Sequence, residues 1–243
     1  MAFACFKNRS TNSYLPIFEE NSLKVSQHIT ALKREEQNLN EQAQAQRFWI
    51  PGATTIGVVC PDGVVLASEK RVSYGYMVMS RVGKKVFKIA DRIGAACAGL
   101  VSDMQILVRE VEAYARLFEL DTRRPMPVKS TAKVISNLLF GRRLVPLITQ
   151  TIVGGMDDEG PSIYVLDVIG SVIPDKFAAV GSGAEIAIGV LEEGYKENMS
   201  IEEARELVFR AVKSAVSRDI MSGDGVDFLT ITKEGIQEES RKF

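Results

Sequence analysis

The residues directly after Gly52 constrain the fold of this chain most strongly. Two apolar runs rich in β-branched side chains lie between positions 56 and 67, on either side of a Pro-Asp-Gly turn sequence at residues 61–63. This pattern predicts a β-hairpin whose open end brings the small residue Ala53 beside the charged residue Glu69. Such a strand end is a place for chemistry, although any antiparallel domain needs hairpins of this kind.

The segment before the hairpin has the composition of a polar leader. It is rich in Gln, Asn and Glu, and residues 22–46 favour a helix but carry only a sparse apolar stripe. The single histidine of the chain, His28, and its single tryptophan, Trp49, both lie in this segment. We therefore expect a weakly structured leader over residues 1–52 and one domain over residues 53–243.

Composition narrows the class of protein. The chain has 243 residues, 46% of them hydrophobic, with 30 basic and 31 acidic side chains, so no net charge favours nucleic acid or an anionic membrane. No apolar run approaches the about 18 residues of a membrane span, and no secretory signal is present. Of three cysteines, Cys60 and Cys97 lie in apolar runs that indicate buried thiols in a reducing compartment. We expect a cytoplasmic protein.

The order of predicted elements favours an α+β fold. Strands come in blocks and helices follow in pairs, which indicates antiparallel sheets covered by helices and not a doubly wound fold. The predicted elements are strand pairs at 56–67 and 85–98, helices from about 102 and 127, strands at 147–153, 162–168 and up to 180, a helix after 183, another opened by a capping box at 200–203, a strand at 226–232 and a charged tail.

Residue types exclude most hydrolytic mechanisms. A Ser-His-Asp or Cys-His mechanism would need His28 from the leader, and no Cys/His cluster has zinc-ligand spacing. The Gly-Ser-Gly run at residues 181–183 lacks the remaining residues of a dinucleotide or phosphate loop, so it predicts a tight turn and no cofactor. A Thr or Ser at a newly exposed N-terminus needs no histidine, because its own α-amine, with a pKa of about 7.7–8.0, serves as base.

Several short motifs, in their order and spacing, resemble those of one family. They are Ala-Thr-Thr-Ile-Gly at 53–57, Asp-Gly-Val-Val-Leu-Ala at 62–67, Glu69 and Arg71, Gly-Lys-Lys at 83–85, Ala-Gly-Leu-Val-Ser-Asp at 98–103, Gly-Ser-Gly at 181–183, Arg-Asp at 218–219 and Ser-Gly at 222–223. From about Gly52 to Thr232 the chain resembles a proteasome β subunit of the archaeal type.

The resemblance implies a fold, an activity and partners. The fold would be the four-layer αββα sandwich of N-terminal nucleophile hydrolases, built from two antiparallel sheets. The activity would be that of a threonine-type endopeptidase, made active by autocatalytic cleavage between Gly52 and residue 53. The partners would be other β subunits and α subunits in stacked heptameric rings, with unfolded polypeptides as substrates, and neither metal nor cofactor.

The resemblance also assigns residues by position. The position of the nucleophile is Ala53, its charged partners are Glu69 and Lys85, and the Gly99 N–H contributes to the oxyanion hole. The residues that support the N-terminal amine and the proton path are Ser182, Asp219 and Ser222, and the substrate pocket is lined by Val72, Gly83, Cys97, Val101 and Gln105. Taken singly, Lys85 also fits a solvated turn and Asp219 a helix end; the combined register favours the catalytic interpretation.

The chain departs from the family at the nucleophile. Alanine at position 53 has no hydroxyl for leader cleavage or for peptide hydrolysis. Three explanations are open: an engineered Thr→Ala precursor, which we favour because the other catalytic positions are filled; a naturally silent subunit; or Thr54 as a shifted nucleophile. The last would move the hydroxyl to the other face of the strand. The chain is thus either an inactive precursor of a peptidase subunit or a structural subunit that acts in ring assembly and regulates a neighbour.

Overall fold

The computed structural model describes residues 52–243, together with Arg34 and Gln37, which are helical and exposed. The chain divides into two compact units, Met1–Trp49 and Ile50–Phe243, and the fold described below is that of the second. The rest of the expected leader, including His28 and Trp49, lies outside the described residues.

Strands and helices alternate in blocks along the second unit, as the sequence predicts. The strands are β1 (Thr55–Cys60), β2 (Gly63–Glu69), β3 (Val72–Tyr74), β4 (Met77–Ser80), β5 (Val86–Ala90), β6 (Ile93–Gly99), β7 (Thr149–Asp157), β8 (Gly160–Leu166), β9 (Ile173–Asp175), β10 (Phe177–Val180), β11 (Val226–Thr232) and β12 (Gly235–Arg241). The helices are α1 (Val101–Thr122), α2 (Val128–Gly141), α3 (Ala184–Gly194) and α4 (Ile201–Val216).

The strands form two five-stranded antiparallel sheets and a small ribbon. The first sheet has the order β10-β1-β2-β11-β12, the second has the order β5-β6-β7-β8-β9, and the ribbon is β3-β4. The first hairpin is confirmed: Thr55 pairs with Ser68, and the Glu69 N–H donates to the Thr54 carbonyl oxygen at 3.1 Å. Strand β1 is also paired with β10 on its other edge, so the residues that follow Ala53 are held from both sides.

Three apolar clusters lie between the layers, one at each contact between neighbouring layers. One lies between the sheets and includes Leu66, Ile152 and Leu229. A second joins the first sheet to α3 and α4, and a third joins the second sheet to α1 and α2. Since burial of one Leu or Ile side chain stabilises a fold by about 1.5–3 kcal/mol, these clusters account for the layer order α-β-β-α. The predicted four-layer sandwich is confirmed.

Local sequence signals explain where the helices lie. In α1, Met104, Leu107, Val111 and Ala115 recur at steps of three and four and are all buried against the second sheet. The capping box of α4 is confirmed: Ser200 Oγ accepts from the Glu203 N–H, and the Glu203 carboxylate accepts from the Ser200 N–H at 2.7 Å.

The C-terminal residues differ from their prediction. The charged tail is an ordered strand, β12, which pairs with β11 from Thr232 and Gly235 to Val226 and Arg241. Strand β12 lies at the edge of the sheet and is largely exposed, so charged residues occupy both of its faces. Its sequence therefore lacks the alternation of apolar and polar residues by which a strand is predicted.

Candidate active site

Residue 53 is fixed by the turn between β10 and α3. The Ala53 N–H donates to Ser182 Oγ at 3.1 Å, and the Ala53 carbonyl oxygen accepts from the Gly183 N–H at 3.3 Å. Gly181 has a φ of +98°, and a Cβ there would overlap the Ala53 carbonyl oxygen, so the turn requires glycine at this position. The Gly-Ser-Gly run thus serves to hold the backbone at the start of β1, as its tight-turn interpretation predicts.

A hydroxyl network continues from Ser182 to the loop after α4. Ser182 Oγ donates to Asp219 Oδ2 at 2.6 Å, and Ser222 Oγ donates to the same oxygen at 2.7 Å. Ser222 Oγ also lies 2.8 Å from Thr54 Oγ1. The structure therefore brings together the three residues that the sequence assigns to the N-terminal amine, and it adds Thr54 to them.

A buried ion pair lies at the end of β2. Lys85 and Glu69 are 2% and 0% exposed, and the Lys85 ammonium pairs with Glu69 Oε1. Lys85 Nζ also donates to the Arg71 carbonyl oxygen at 2.6 Å, while Glu69 Oε2 accepts from the N–H groups of Arg71 and Gly223 at 2.7 and 2.9 Å. Both charged groups are therefore hydrogen-bonded on more than one side, as a buried charge requires.

Burial sets the protonation chemistry of this pair. Removal from water lowers the pKa of the Lys85 ammonium, and the negative charge of Glu69 opposes that shift. Burial likewise raises the pKa of Glu69, against the effect of Lys85. Lys85 is thus shifted toward the neutral amine, the form that accepts a proton from a hydroxyl.

Gly99 is the last residue of β6, the strand that pairs with β5, and Lys85 directly precedes β5. The φ of Gly99 is +147°, and a Cβ there would overlap the Ile148 carbonyl oxygen, so the backbone requires glycine. The Cys97 N–H donates to the Lys85 carbonyl oxygen at 2.9 Å. Because N–H groups two residues apart on a strand point to the same edge, the Gly99 N–H is directed to the edge where Lys85 lies.

Ala53 and Thr54 place their side chains on opposite faces of the first sheet. Ala53 is fully buried and packs in the cluster between the sheets, together with Ala96 and Ala98. The fully buried Thr54 hydroxyl contacts Ser222 on the other face, and a Cβ at Gly183 would overlap it. This alternation is that of a strand, so Thr54 is not positioned like Ala53.

The predicted pocket residues form two groups. Val72 and Gly83 lie together, because a Cβ at Gly83 would overlap a Val72 methyl group. Cys97, Val101 and Gln105 follow the chain from β6 into α1 and are buried, half-buried and exposed respectively. Burial raises the pKa of the Cys97 thiol to about 12, so the thiol does not act as a nucleophile.

Asp224 is a residue of this region that sequence reasoning missed. It lies between two glycines with a φ of +69°, and its carboxylate pairs with the side chains of Arg71 and Arg81. The Gly-Asp-Gly composition of residues 223–225 signals a turn, but nothing local signals the arginine partners.

The described residues contain neither a cluster of metal-ligating side chains nor a membrane-spanning helix. Within residues 52–243, no group of three or more His, Cys, Asp or Glu side chains is arranged to hold a metal ion. In that same part of the chain, no helix combines the length and the apolar character needed to cross a membrane.

Comparison with known proteins agrees with this geometry. The profile of the family described as "Proteasome subunit" matches residues 51–231. The chain is 50% identical to proteasome subunit beta 1 of Nitrosopumilus maritimus over 79% of this chain and 96% of that protein. It is 47% identical to proteasome subunit beta 2 of Caldivirga maquilingensis, over 78% and 94% of the two chains, and 50% identical to proteasome subunit beta 1 of Ignicoccus hospitalis, over 74% and 91%. This chain therefore belongs to the proteasome subunit family, among the relatives of the archaeal β subunits.

Proposed function

We propose that this chain is a catalytic-type β subunit of the proteasome core particle, a threonine endopeptidase in its active form. In this copy Ala53 leaves it as an inactive precursor that retains residues 1–52. The subunit assembles with other β subunits and with α subunits into stacked heptameric rings in the cytoplasm, and unfolded polypeptides are degraded inside the chamber.

The buried Lys85–Glu69 pair carries this proposal. A buried ion pair adds little net stability compared with apolar residues of the same volume, because both charges lose their hydration. A role in proton transfer accounts for the retention of such a pair beside the start of β1. Its position next to the Ser182–Asp219–Ser222 network supports a function in proton transfer.

These contacts support the following mechanism. A threonine at position 53 carries its hydroxyl toward the face between the sheets, where Ala53 now packs. Lys85, shifted toward its neutral form, takes the hydroxyl proton as the oxygen attacks the Gly52 carbonyl carbon, and the Gly99 N–H stabilises the oxyanion. The C–N bond between Gly52 and residue 53 then breaks as Lys85 returns the proton to the leaving nitrogen, which leaves residues 1–52 joined through an ester to the residue 53 hydroxyl oxygen, and a water molecule hydrolyses this ester. The freed nitrogen of residue 53 is an α-amine, which stays hydrogen-bonded to Ser182 and serves as base for peptide hydrolysis.

The test of this proposal is the Ala53→Thr variant, assembled with its α subunit. We expect an intact mass that has lost residues 1–52, together with new peptidase activity. Ala53→Val is the matched control, because valine has the shape of threonine without the hydroxyl, and it should remain uncut. A full-length chain in the assembled Ala53→Thr particle would contradict the proposal.

Ala53 itself favours a second candidate, a naturally silent subunit that acts in ring assembly and regulates a neighbouring active subunit. The two candidates differ in codon 53 of the natural gene. A threonine codon there supports the engineered precursor, and an alanine codon supports the silent subunit.

The lining of the pocket predicts the specificity of the reactivated subunit. Val72, Gly83, Cys97 and Val101 are apolar and Gln105 is uncharged, so no full charge is available to pair with a substrate side chain. Fluorogenic peptides with Leu or Tyr before the scissile bond should be cleaved about 10-fold or more faster than those with Arg or Asp. Faster cleavage after Arg or Asp would show that other residues line the pocket.

A further inference from the structure

Asp224 connects two parts of the chain that are far apart in sequence. Its Oδ2 accepts from Arg71 Nε at 2.9 Å, and its Oδ1 accepts from Arg81 Nη1 at 2.8 Å. The Asp224 side chain is 10% exposed, compared with 22% for Arg71. The arginine pairing lowers the pKa of the Asp224 carboxyl, so the group stays charged and both contacts persist at neutral pH.

Through Arg71, this carboxylate reaches the buried ion pair. The Arg71 guanidinium lies against Gly223, where a Cβ would overlap it, and donates to the Ile220 carbonyl oxygen at 2.9 Å. The backbone of Arg71 donates to Glu69 and accepts from Lys85. Gly223, next to Asp224, donates its own N–H to Glu69. The loop after α4 and the end of β2 are therefore joined by the Arg71 side chain and by backbone hydrogen bonds of Gly223.

Through Arg81, the same carboxylate reaches the β3-β4 ribbon. Arg81 directly follows β4, and Val72 begins β3. Val72 packs against Gly83, and both are predicted pocket residues. A loop residue that holds Arg81 therefore also restrains the side of the pocket that the ribbon supplies.

We propose that Asp224 is a positioning residue, which sets the Lys85–Glu69 pair and the ribbon side of the substrate pocket relative to residue 53, through Arg71 and Arg81. Its conformation fits this role. A φ of +69° is a left-handed conformation that most side chains avoid and that Asp and Asn tolerate, so the residue is held where its two oxygens meet two arginines. The functional part of the proposal depends on the proposed function; the contacts do not.

The first experiment uses the chain as it is, with Ala53, and measures amide hydrogen exchange. Asp224→Asn keeps the shape and the tolerance of positive φ but removes the charge. Because hydrogen bonds to a charged group are stronger than those to a neutral one, we expect roughly 10-fold faster exchange in peptides covering residues 219–225 and 72–84. Peptides from β7 and β8 should exchange at the original rate, which shows that the variant is folded.

Asp91→Asn is the matched control, because it breaks the exposed Lys88–Asp91 ion pair at another turn. It should leave exchange at residues 219–225 unchanged. Arg81→Gln, at a residue whose side chain is 71% exposed, should accelerate exchange in the ribbon and not at Gly223. Unchanged exchange at 219–225 in Asp224→Asn would overturn the proposal.

The second experiment measures kinetics in assembled Ala53→Thr particles. Asp224→Asn should lower kcat by about 10-fold, whereas Arg81→Gln should raise KM and leave kcat within about 2-fold. Altered exchange with unchanged kcat and KM would assign Asp224 a structural role only and overturn the functional part. An inactive Ala53→Thr particle would instead contradict the proposed function, while the exchange results would still decide whether Asp224 holds the loop and the ribbon.

Discussion

At Lys85, burial and an ion pair act on the same ammonium group in opposite directions. Burial lowers the pKa of the ammonium, and the negative charge of Glu69 opposes this shift. The net effect is a lowered pKa, so Lys85 releases its proton more readily than an exposed lysine does. Arginine at this position would keep the charge and the ion pair but would not release its proton. The proposed mechanism therefore requires lysine at position 85 as well as threonine at position 53.

Lys85→Arg in the Ala53→Thr background tests this difference. We expect leader cleavage and peptidase activity to fall by about 100-fold or more, the usual contribution of a positioned acid–base group. The neighbouring exposed lysine supplies the control: Lys84→Arg, which keeps the ion pair with Glu238, should leave both rates unchanged. Equal activity of the two variants would exclude Lys85 as proton acceptor.

The pH dependence of leader cleavage has a defined sign. The proposed mechanism uses neutral Lys85 as the proton acceptor, so it predicts a cleavage rate that rises with pH as the ammonium loses its proton. The lowered pKa places this rise below the pH at which an exposed lysine titrates. The measurement is the rate of cleavage after Gly52 in Ala53→Thr chains at a series of pH values, and a rate that falls over this range would contradict the assignment.

Site residues could be predicted from the sequence where they belong to a recognisable motif. They could not be predicted where their role depends on contacts with residues far along the chain. Ser182, Asp219 and Ser222 were assigned through the resemblance of short motifs to those of the family, and the structure brings them into one network. Asp224 did not, because its arginine partners are 153 and 143 residues away and leave no local pattern.

At the scale of elements, the capping box at the start of α4 contributes to the stability of the helix. Ser200→Ala removes the side chain that accepts from the Glu203 N–H, and we expect the free energy of unfolding to fall by about 1 kcal/mol. Ser217→Ala, at the other end of the helix, should have a smaller effect. Chemical denaturation of the three chains measures the difference, and equal values for both variants would contradict the capping role.

Glu203 adds a pH dependence to this helix end. Its hydrogen bonds from Ser200 lower the pKa of the Glu203 carboxyl. The resulting stabilisation is present above the unfolded-state pKa of about 4.3 and is lost as the pH falls through the lower folded-state value.

Strands with one apolar face were predicted, whereas exposed ones were not. The β1-β2 hairpin was predicted because its apolar runs are buried in the sandwich. Strand β12 was missed because its exposed residues are mostly charged or polar, and the β3-β4 ribbon was missed because its strands have only three and four residues, too few for a recognisable apolar alternation.

At the scale of the whole molecule, the outer face of α1 carries apolar side chains that no other part of residues 52–243 covers. Ile106, Tyr114, Leu117 and Leu120 are all exposed on it. An apolar stripe of this kind is typical of a surface that a neighbouring subunit covers.

Leu117→Lys should therefore reduce incorporation into particles with the α subunit, while its denaturation midpoint stays that of the unaltered chain. Glu119→Lys places the same side chain on another exposed position of α1 and should assemble normally. Native mass spectrometry measures incorporation. Full assembly of Leu117→Lys would mean that neighbours bind elsewhere.

The charges on the edge strand β12 affect how copies of this molecule can associate. Residues 237–240 are exposed in succession, and both Glu238 and Glu239 form ion pairs with side chains outside the strand. An open sheet edge invites chains to add strand to strand without limit, and charged side chains on that edge make this addition costly. The charges on β12 therefore oppose strand-to-strand growth of fibres when many copies of the molecule are close together.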